Sequence, residues 1–117
     1  MSDFSDPGPQ AEAWSIESAR TLYNIQRWGA GYFDVNAEGH VVAMPLQNGV
    51  AVDLVDVIEE AKGRGLKFPL LIRFQDILRH RVQALNEAFR TSIAEFNYQG
   101  SYRGVFPIKV NQLREVV

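Results

Sequence analysis

Apolar residues recur at helical spacing in three parts of the chain. The longest part, Asp76–Tyr98, contains neither glycine nor proline and places apolar residues three or four positions apart. These residues are Leu78, Val82, Leu85, Phe89, Ile93 and Phe96. A shorter helix is predicted over Ile16–Gln26 behind the N-cap Ser15, and another begins after the N-cap Asp53. We expect each helix to bury its apolar side, which in the helix after Asp53 consists of Leu54, Val57, Ile58 and Ala61.

A β-hairpin is predicted between the two shorter helices. Tyr32–Val35 and His40–Met44 are rich in β-branched and aromatic residues, and they flank the turn Asn36–Gly39, whose glycine can adopt a positive φ. Trp28 and the aromatic residues of the first strand are expected in the core. His40 lies on the hairpin, and a surface position is sufficient to explain it.

Two continuous apolar runs, Phe68–Phe74 and Val105–Val110, are typical of buried strands. Together with the long helix between them they predict a strand-helix-strand unit, because the crossover is long enough for parallel pairing. Pro107 argues against a central place for the second strand, since proline has no N–H to donate to the ladder.

These elements divide the chain into three parts. Residues 1–14 are polar, contain prolines and glycine, show no apolar periodicity, and are expected to be a flexible tail. Residues 15–66 hold the N-terminal helix, the hairpin and the next helix. Residues 67–117 hold the strand-helix-strand unit. The predicted fold class is α/β.

Composition restricts the class of protein. With 117 residues, 46% of them hydrophobic and 22% charged, the chain is one globular domain at most. A net charge of -2 gives no reason to expect a nucleic acid or an anionic membrane as a partner. No apolar run reaches the roughly 18 residues of a membrane span, and the acidic start is not a signal peptide, so a cytoplasmic location is expected. The absence of cysteine and the presence of only two histidines argue against metal sites built on either residue type.

One lysine interrupts the second apolar run. Lys109 lies between Ile108 and Val110, and lysine is almost never fully buried unless it is paired. Loss of hydration on an apolar strand would favour the free amine, which forms a Schiff base with a carbonyl. The alternative is that Lys109 ends the strand with its stem packed and its ammonium group in water. The residues alone leave both interpretations open, although Asn111 and Gln112 place polar groups where α/β enzymes have their sites.

The segment around Lys109 resembles a known family. Gly104–Gln112, with the sequence GVFPIKVNQ, is similar to the cofactor-lysine segment of the biosynthetic arginine decarboxylases. Trp28–Asn36, with the sequence WGAGYFDVN, is similar to their N-terminal segment, and Phe68–Val82 resembles more loosely the segment that leads into their barrel. Phe106 stands where the family often has tyrosine, so the aromatic packing is kept and the hydroxyl is absent.

This resemblance implies a fold and a chemistry. The chain would be the N-terminal part of a longer enzyme and would open an incomplete pyridoxal-phosphate-binding (β/α)8 barrel of the alanine-racemase type, fold type III. The implied reaction is decarboxylation of L-arginine to agmatine in polyamine (spermidine) biosynthesis. Lys109 would be the catalytic and cofactor-binding residue, attached to pyridoxal phosphate as a Schiff base. The family also uses magnesium, for which these residues show no ligands, and the full-length enzyme would be a homo-oligomer.

Two other interpretations remain. The first keeps the chemistry and changes the substrate to diaminopimelate, ornithine or alanine, in another decarboxylase or racemase of the barrel class. The second is a catalytically inert α/β fragment, because closing such a barrel takes about 250 residues. The fragment alone is expected to be inactive, since the residues that would hold the phosphate and the ring nitrogen fall beyond Val117. Unpaired edges of its strands would invite pairing with another chain.

Overall fold

Residues 13–117 are described by a computed structural model and fold into four helices and one small sheet. In chain order the elements are α1 (Ile16–Leu22), α2 (Ile25–Gly29), β1 (Phe33–Val35), β2 (Val41–Ala43), β3 (Val52–Asp53), α3 (Leu54–Gly63) and α4 (Gln75–Glu95). The strands pair antiparallel in the order β1-β2-β3. The described residues therefore form a mixed α/β structure. The predicted tail, residues 1–14, lies outside the described residues except for residues 13 and 14.

The N-cap predicted for the first helix is confirmed, whereas the length of that helix is wrong. Ser15 Oγ accepts a hydrogen bond from Ser18 N at 3.0 Å, and Ser18 Oγ accepts one from Ser15 N at 2.9 Å, which together form a capping box. The predicted helix Ile16–Gln26 is interrupted at Asn24, whose φ of 52° lies in the left-handed region. Asparagine tolerates this conformation better than most residues, so the chain turns here and begins α2.

The predicted hairpin and its turn are confirmed, and its strands, Phe33–Val35 and Val41–Ala43, are shorter than predicted. Phe33 lies opposite Ala43, and Val35 lies opposite Val41. In the turn, Gly39 N donates to Asn36 O at 3.1 Å, and Gly39 has a φ of 83°. The third strand, β3, was not predicted, because two residues are too short to show a period of two.

The core lies between α1, α2 and the sheet. Its buried hydrophobic residues are Ala19, Ile25, Tyr32, Val35, Val42 and Ala43. On α3 the apolar residues predicted to face inward are half-buried, while Asp56, Glu59 and Glu60 are exposed. The helix begins as predicted at the N-cap Asp53, which accepts a hydrogen bond from Val55 N at 2.8 Å. The first 50 or so described residues thus form a small packed unit.

The long helix α4 is continuous, as predicted, but its predicted buried stripe is wrong. None of its residues is buried. The stripe residues Leu78, Val82, Leu85 and Phe89 are between 39% and 60% exposed. Phe96, at the end of the helix, is 82% exposed. An apolar stripe is buried only when a second layer of structure packs against it, and within residues 13–117 no such layer faces α4.

The two strands predicted around α4 are also wrong. Phe68–Phe74 and Val105–Val110 belong to no sheet, and the strand-helix-strand unit is not formed within the described residues. Buried parallel strands need hydrogen-bonded neighbours and cover on both faces, and residues 13–117 provide neither. The radius of gyration of 22.0 Å, against about 13 Å for a compact domain of about 100 residues, reflects this open arrangement. The described helices include none that is both long and apolar enough to cross a membrane.

We expect Ile25→Ala to lower the free energy of unfolding of the N-terminal unit by about 2 to 5 kcal/mol, because Ile25 is only 2% exposed and its truncation leaves a cavity. The matched control is Leu22→Ala, since Leu22 is 77% exposed, and it should change this free energy by about 0.5 kcal/mol or less. Urea unfolding followed by tryptophan fluorescence measures both. Equal effects of the two variants would contradict the position of the core.

Candidate functional site

Lys109 lies in a turn rather than on a strand. Its backbone N–H donates to Pro107 O at 2.8 Å, and the turn covers Ile108–Val110. Its side chain is exposed and makes no hydrogen bond or ion pair with any residue of the part of the chain that the structure describes. The desolvation expected for a buried strand is therefore not present here. The catalytic role of Lys109 stays a prediction, carried by the similarity of the surrounding segment.

Pyridoxal phosphate, which the resemblance implies, needs an amine for attachment and protein groups that hold its phosphate and ring. The amine of Lys109 is open to a carbonyl compound, which suits covalent attachment. However, Lys109 lines none of the main cavities, and its neighbours Phe106, Ile108 and Val110 are more than half exposed. The described residues thus provide an attachment point and no cradle for the phosphate or the ring. By themselves they do not fit the cofactor.

The segment after Lys109 returns to the start of α4. Gln75 Nε2 donates to Glu115 O at 3.0 Å, and Asn111 Oδ1 accepts from Leu113 N at 3.2 Å. Asn111 is half-buried. The hydrogen bond from Gln75 brings the residues that follow the lysine close to the helix that precedes it in sequence.

A polar network around Asp53 joins the hairpin to α3. Asp53 Oδ2 accepts from His40 Nδ1 at 2.9 Å and from Asn36 Nδ2 at 2.8 Å, while Asp53 Oδ1 caps α3. The hydrogen bond from His40 is the main reason that the pKa of Asp53 lies below its ordinary value. From the sequence alone, only a surface position was expected for His40. The contact could not be predicted, because 13 residues separate the two side chains and no pattern connects them.

A second pair joins α1 to β1. Arg20 Nε and Nη2 donate to the two carboxylate oxygens of Asp34 at 2.6 and 2.9 Å, and Nη2 also donates to Val35 O at 3.0 Å. These hydrogen bonds lower the pKa of Asp34 and raise that of Arg20. Such two-fold contacts between a guanidinium and a carboxylate fix orientation as well as distance. This pair was also missed by the sequence analysis.

A third contact ties the hairpin to α4. The hydroxyl of Tyr32 and Nδ1 of His80 share a hydrogen bond of 2.6 Å, and the two rings meet edge to face with centroids 5.6 Å apart. Beside it, the rings of Phe33 and Phe74 meet edge to face at 6.3 Å. The long helix is thus fastened at its first turns, while the rest of it extends away from the sheet.

The chain is similar over most of its length to curated arginine decarboxylases. It is 47% identical over 108 residues to the biosynthetic arginine decarboxylase of Parasynechococcus marenigrum, which is 92% of this chain and 17% of the relative. It is 50% identical over 103 residues to that of Xanthomonas axonopodis pv. citri, which is 88% of this chain and 16% of the relative. The chain is a homologue of the N-terminal portion of biosynthetic arginine decarboxylases.

The chain spans about a sixth of the length of these relatives. The biosynthetic arginine decarboxylase of Nostoc sp. gives the same result, with 46% identity over 112 residues, 95% of this chain and 16% of the relative. The resemblance predicted from the sequence is therefore confirmed. No family model matches the chain.

A magnesium site was tested against the structure, since the resemblance implies this ion. Among residues 13–117, no three His, Cys, Asp or Glu side chains come together closely enough to hold a metal ion. The described residues therefore contain no such cluster that could serve as a magnesium site.

The lowered pKa of Asp34 predicts a dependence of stability on pH. An aspartate whose pKa is lower in the folded than in the unfolded state stabilises the fold above its unfolded pKa of about 3.9, and this contribution disappears as the pH falls through the folded pKa. We therefore expect Asp34→Asn to reduce the free energy of unfolding by a constant amount above about pH 5, and by progressively less below about pH 4.

Urea unfolding at a series of pH values measures the difference in the free energy of unfolding between wild type and Asp34→Asn. The matched control is Glu38→Gln, because Glu38 is exposed and its carboxylate forms no ion pair with a described residue. It removes one negative charge without breaking a pair. If the difference between wild type and Asp34→Asn stays the same from pH 7 to pH 3, the pair with Arg20 does not contribute as described.

Proposed function

We propose that this chain is the N-terminal part of a pyridoxal-phosphate-dependent decarboxylase that converts L-arginine to agmatine for polyamine synthesis. The observation that carries the proposal is the 45–50% identity of nearly the whole chain to proteins named biosynthetic arginine decarboxylase. The segment Gly104–Gln112, which contains the lysine, adds a specific chemical reason. The matched proteins are about six times longer, so the activity belongs to the complete enzyme.

Lys109 is the residue that acts on the cofactor in this proposal. Its primary amine is a nucleophile toward a carbonyl carbon and would be the group that holds the cofactor. When bound, pyridoxal phosphate supplies the electron sink for the charge left behind when carbon dioxide departs. In the 117-residue chain the amine is exposed, so the enclosure that excludes water has to come from the rest of the enzyme.

The exposed apolar surfaces support a barrel that is completed by residues outside this chain. The stripe on α4 and the run Val105–Val110 together expose several large apolar side chains. Contiguous apolar surface of this kind marks a place where another layer of protein packs. We therefore propose that residues 67–117 become the first strand-helix-strand unit of the (β/α)8 barrel, and that residues 15–66 form a separate N-terminal part. Homo-oligomerisation, a cytoplasmic location and use of magnesium stay predictions for the complete enzyme.

A second proposal concerns the chain on its own, which we expect to be catalytically inert. The observation that favours it is the position of Lys109 in an exposed turn without a surrounding cavity. An amine in this position can react with an aldehyde but cannot hold it in one orientation for decarboxylation.

In a complete enzyme that carries this segment, we expect Lys109→Arg to reduce decarboxylation of arginine to background and to remove the visible absorption of a pyridoxal Schiff base. The guanidinium keeps the positive charge but does not act as the amine nucleophile. The control is Lys67→Arg, an exposed lysine outside the resembling segment around Lys109. Near-wild-type activity of Lys109→Arg would exclude the proposed role. The 117-residue chain should show no turnover with either lysine or arginine at position 109.

The barrel proposal predicts that one substitution has two different effects. In the complete enzyme Leu85→Ala should cost about 2 to 5 kcal/mol of stability, because the stripe would be buried there. In the 117-residue chain, where Leu85 is 51% exposed, the same change should cost about 0.5 kcal/mol or less. Arg81→Ala, on another face of α4, serves as the control in both proteins. An equally small effect of Leu85→Ala in both would mean that the stripe stays uncovered in the complete enzyme.

A further inference from the structure

A cavity of about 250 Å³ lies where β1, the start of α4 and the C-terminal residues meet. Most of its lining is apolar, with Phe33 and Phe74 as the aromatic walls. An apolar cavity of about 150 Å³ already admits a benzene molecule. This cavity therefore has room for a small organic molecule.

Two polar side chains, Arg73 and Asn111, line the same cavity. Within the described residues the guanidinium of Arg73 has no hydrogen-bond or ion-pair partner. The Oδ1 atom of Asn111 accepts a hydrogen bond from Leu113 N, so its amide nitrogen is left as a donor. The polar groups available to a ligand are thus donors, and one of them is a cation.

Two carboxylates that are close in sequence to lining residues of the cavity do not neutralise this cation. Asp76 is paired with Arg79 at 3.0 Å, and Glu115 lines a different cavity. Neither aspartate nor glutamate occurs among the residues that line the cavity of Arg73. An apolar cavity with a cationic donor, a neutral donor and no acid is complementary to an anion that has an apolar body.

We propose that this cavity binds a small organic oxyanion, a carboxylate or phosphate group on an apolar body, with Arg73 and Asn111 as its ligands. The planar guanidinium donates two parallel hydrogen bonds to such a group, and the asparagine amide donates a third. The aromatic walls hold the apolar body. Lys109 does not line this cavity, so the inference goes beyond the proposed function; it concerns the 117-residue chain, in which residues 67–117 do not form a strand-helix-strand unit.

The test is a titration of the 117-residue chain with phenyl phosphate and with benzoate, followed by NMR of the Arg73 Nε–H and the Asn111 side-chain amide. We expect both signals to shift with at least one of the anions, and Arg73→Gln to weaken binding at least tenfold. Arg81→Gln is the matched control, because it removes the same charge from an exposed position that does not line the cavity. The affinity of Arg81→Gln for the anion should stay within twofold of the wild-type value.

Two further ligands separate the contributions of charge and apolar body. Benzyl alcohol has the ring without the charge, and inorganic phosphate has the charge without the ring, so both should bind more weakly than the better of the two anions. Tighter binding of phenyl phosphate identifies phosphate as the preferred group, and tighter binding of benzoate identifies carboxylate. The proposal would be overturned if benzyl alcohol bound as tightly as the better anion. It would also be overturned if Arg73→Gln and Arg81→Gln weakened binding of that anion equally.

A third measurement does not depend on the folding of any variant. In the wild-type chain, the ring protons of the bound anion should give intermolecular nuclear Overhauser effects to the rings of Phe33 and Phe74, which form the aromatic walls. If these effects are absent while the anion is bound, the ligand occupies another site and the proposal is wrong.

Discussion

The antiparallel pairing of β1 with β2 is the interaction on which the packed part of this chain depends. It places Val35, Val42 and Ala43 on the core and brings Asp34 to Arg20 and His40 to Asp53. Because the paired strands are joined by a short turn, little chain entropy is lost when they meet. The unit that contains α1, α2, α3 and the sheet therefore holds itself together with local contacts.

Residues 67–117 depend instead on non-local contacts. Their apolar runs are suited to parallel strands, which need neighbours on both sides and layers on both faces. Without those layers only the helix of the unit remains, since its hydrogen bonds lie within one segment. Ion pairs one turn apart, such as Arg79 with Asp76 and Arg90 with Glu87, support it on its exposed surface. Lys109 lies in this part of the chain, where the missing layers leave its side chain exposed to solvent.

The sequence predicted those features whose causes lie within a few neighbouring residues. The caps Ser15 and Asp53, the turn that ends at Gly39 and the continuity of α4 are all of this kind. The contacts of Arg20, His40 and His80 could not be predicted, because they join side chains 13 to 48 residues apart, and periodicity does not say which polar groups meet. The strands predicted from the two apolar runs are not formed, because parallel strands need neighbours and covering layers that the described residues lack. The role of Lys109 rests on the resemblance of its segment rather than on its environment.

The order of elements along the chain has a consequence for synthesis on the ribosome. Every buried core residue among the described residues lies between Ala19 and Ala43, so a nascent chain contains a complete core before α4 is translated. At about 5 to 20 residues per second, this unit has seconds in which to fold before the remainder emerges. The helix then emerges with its apolar side uncovered, which is the kind of surface that chaperones bind while a longer polypeptide is still being made.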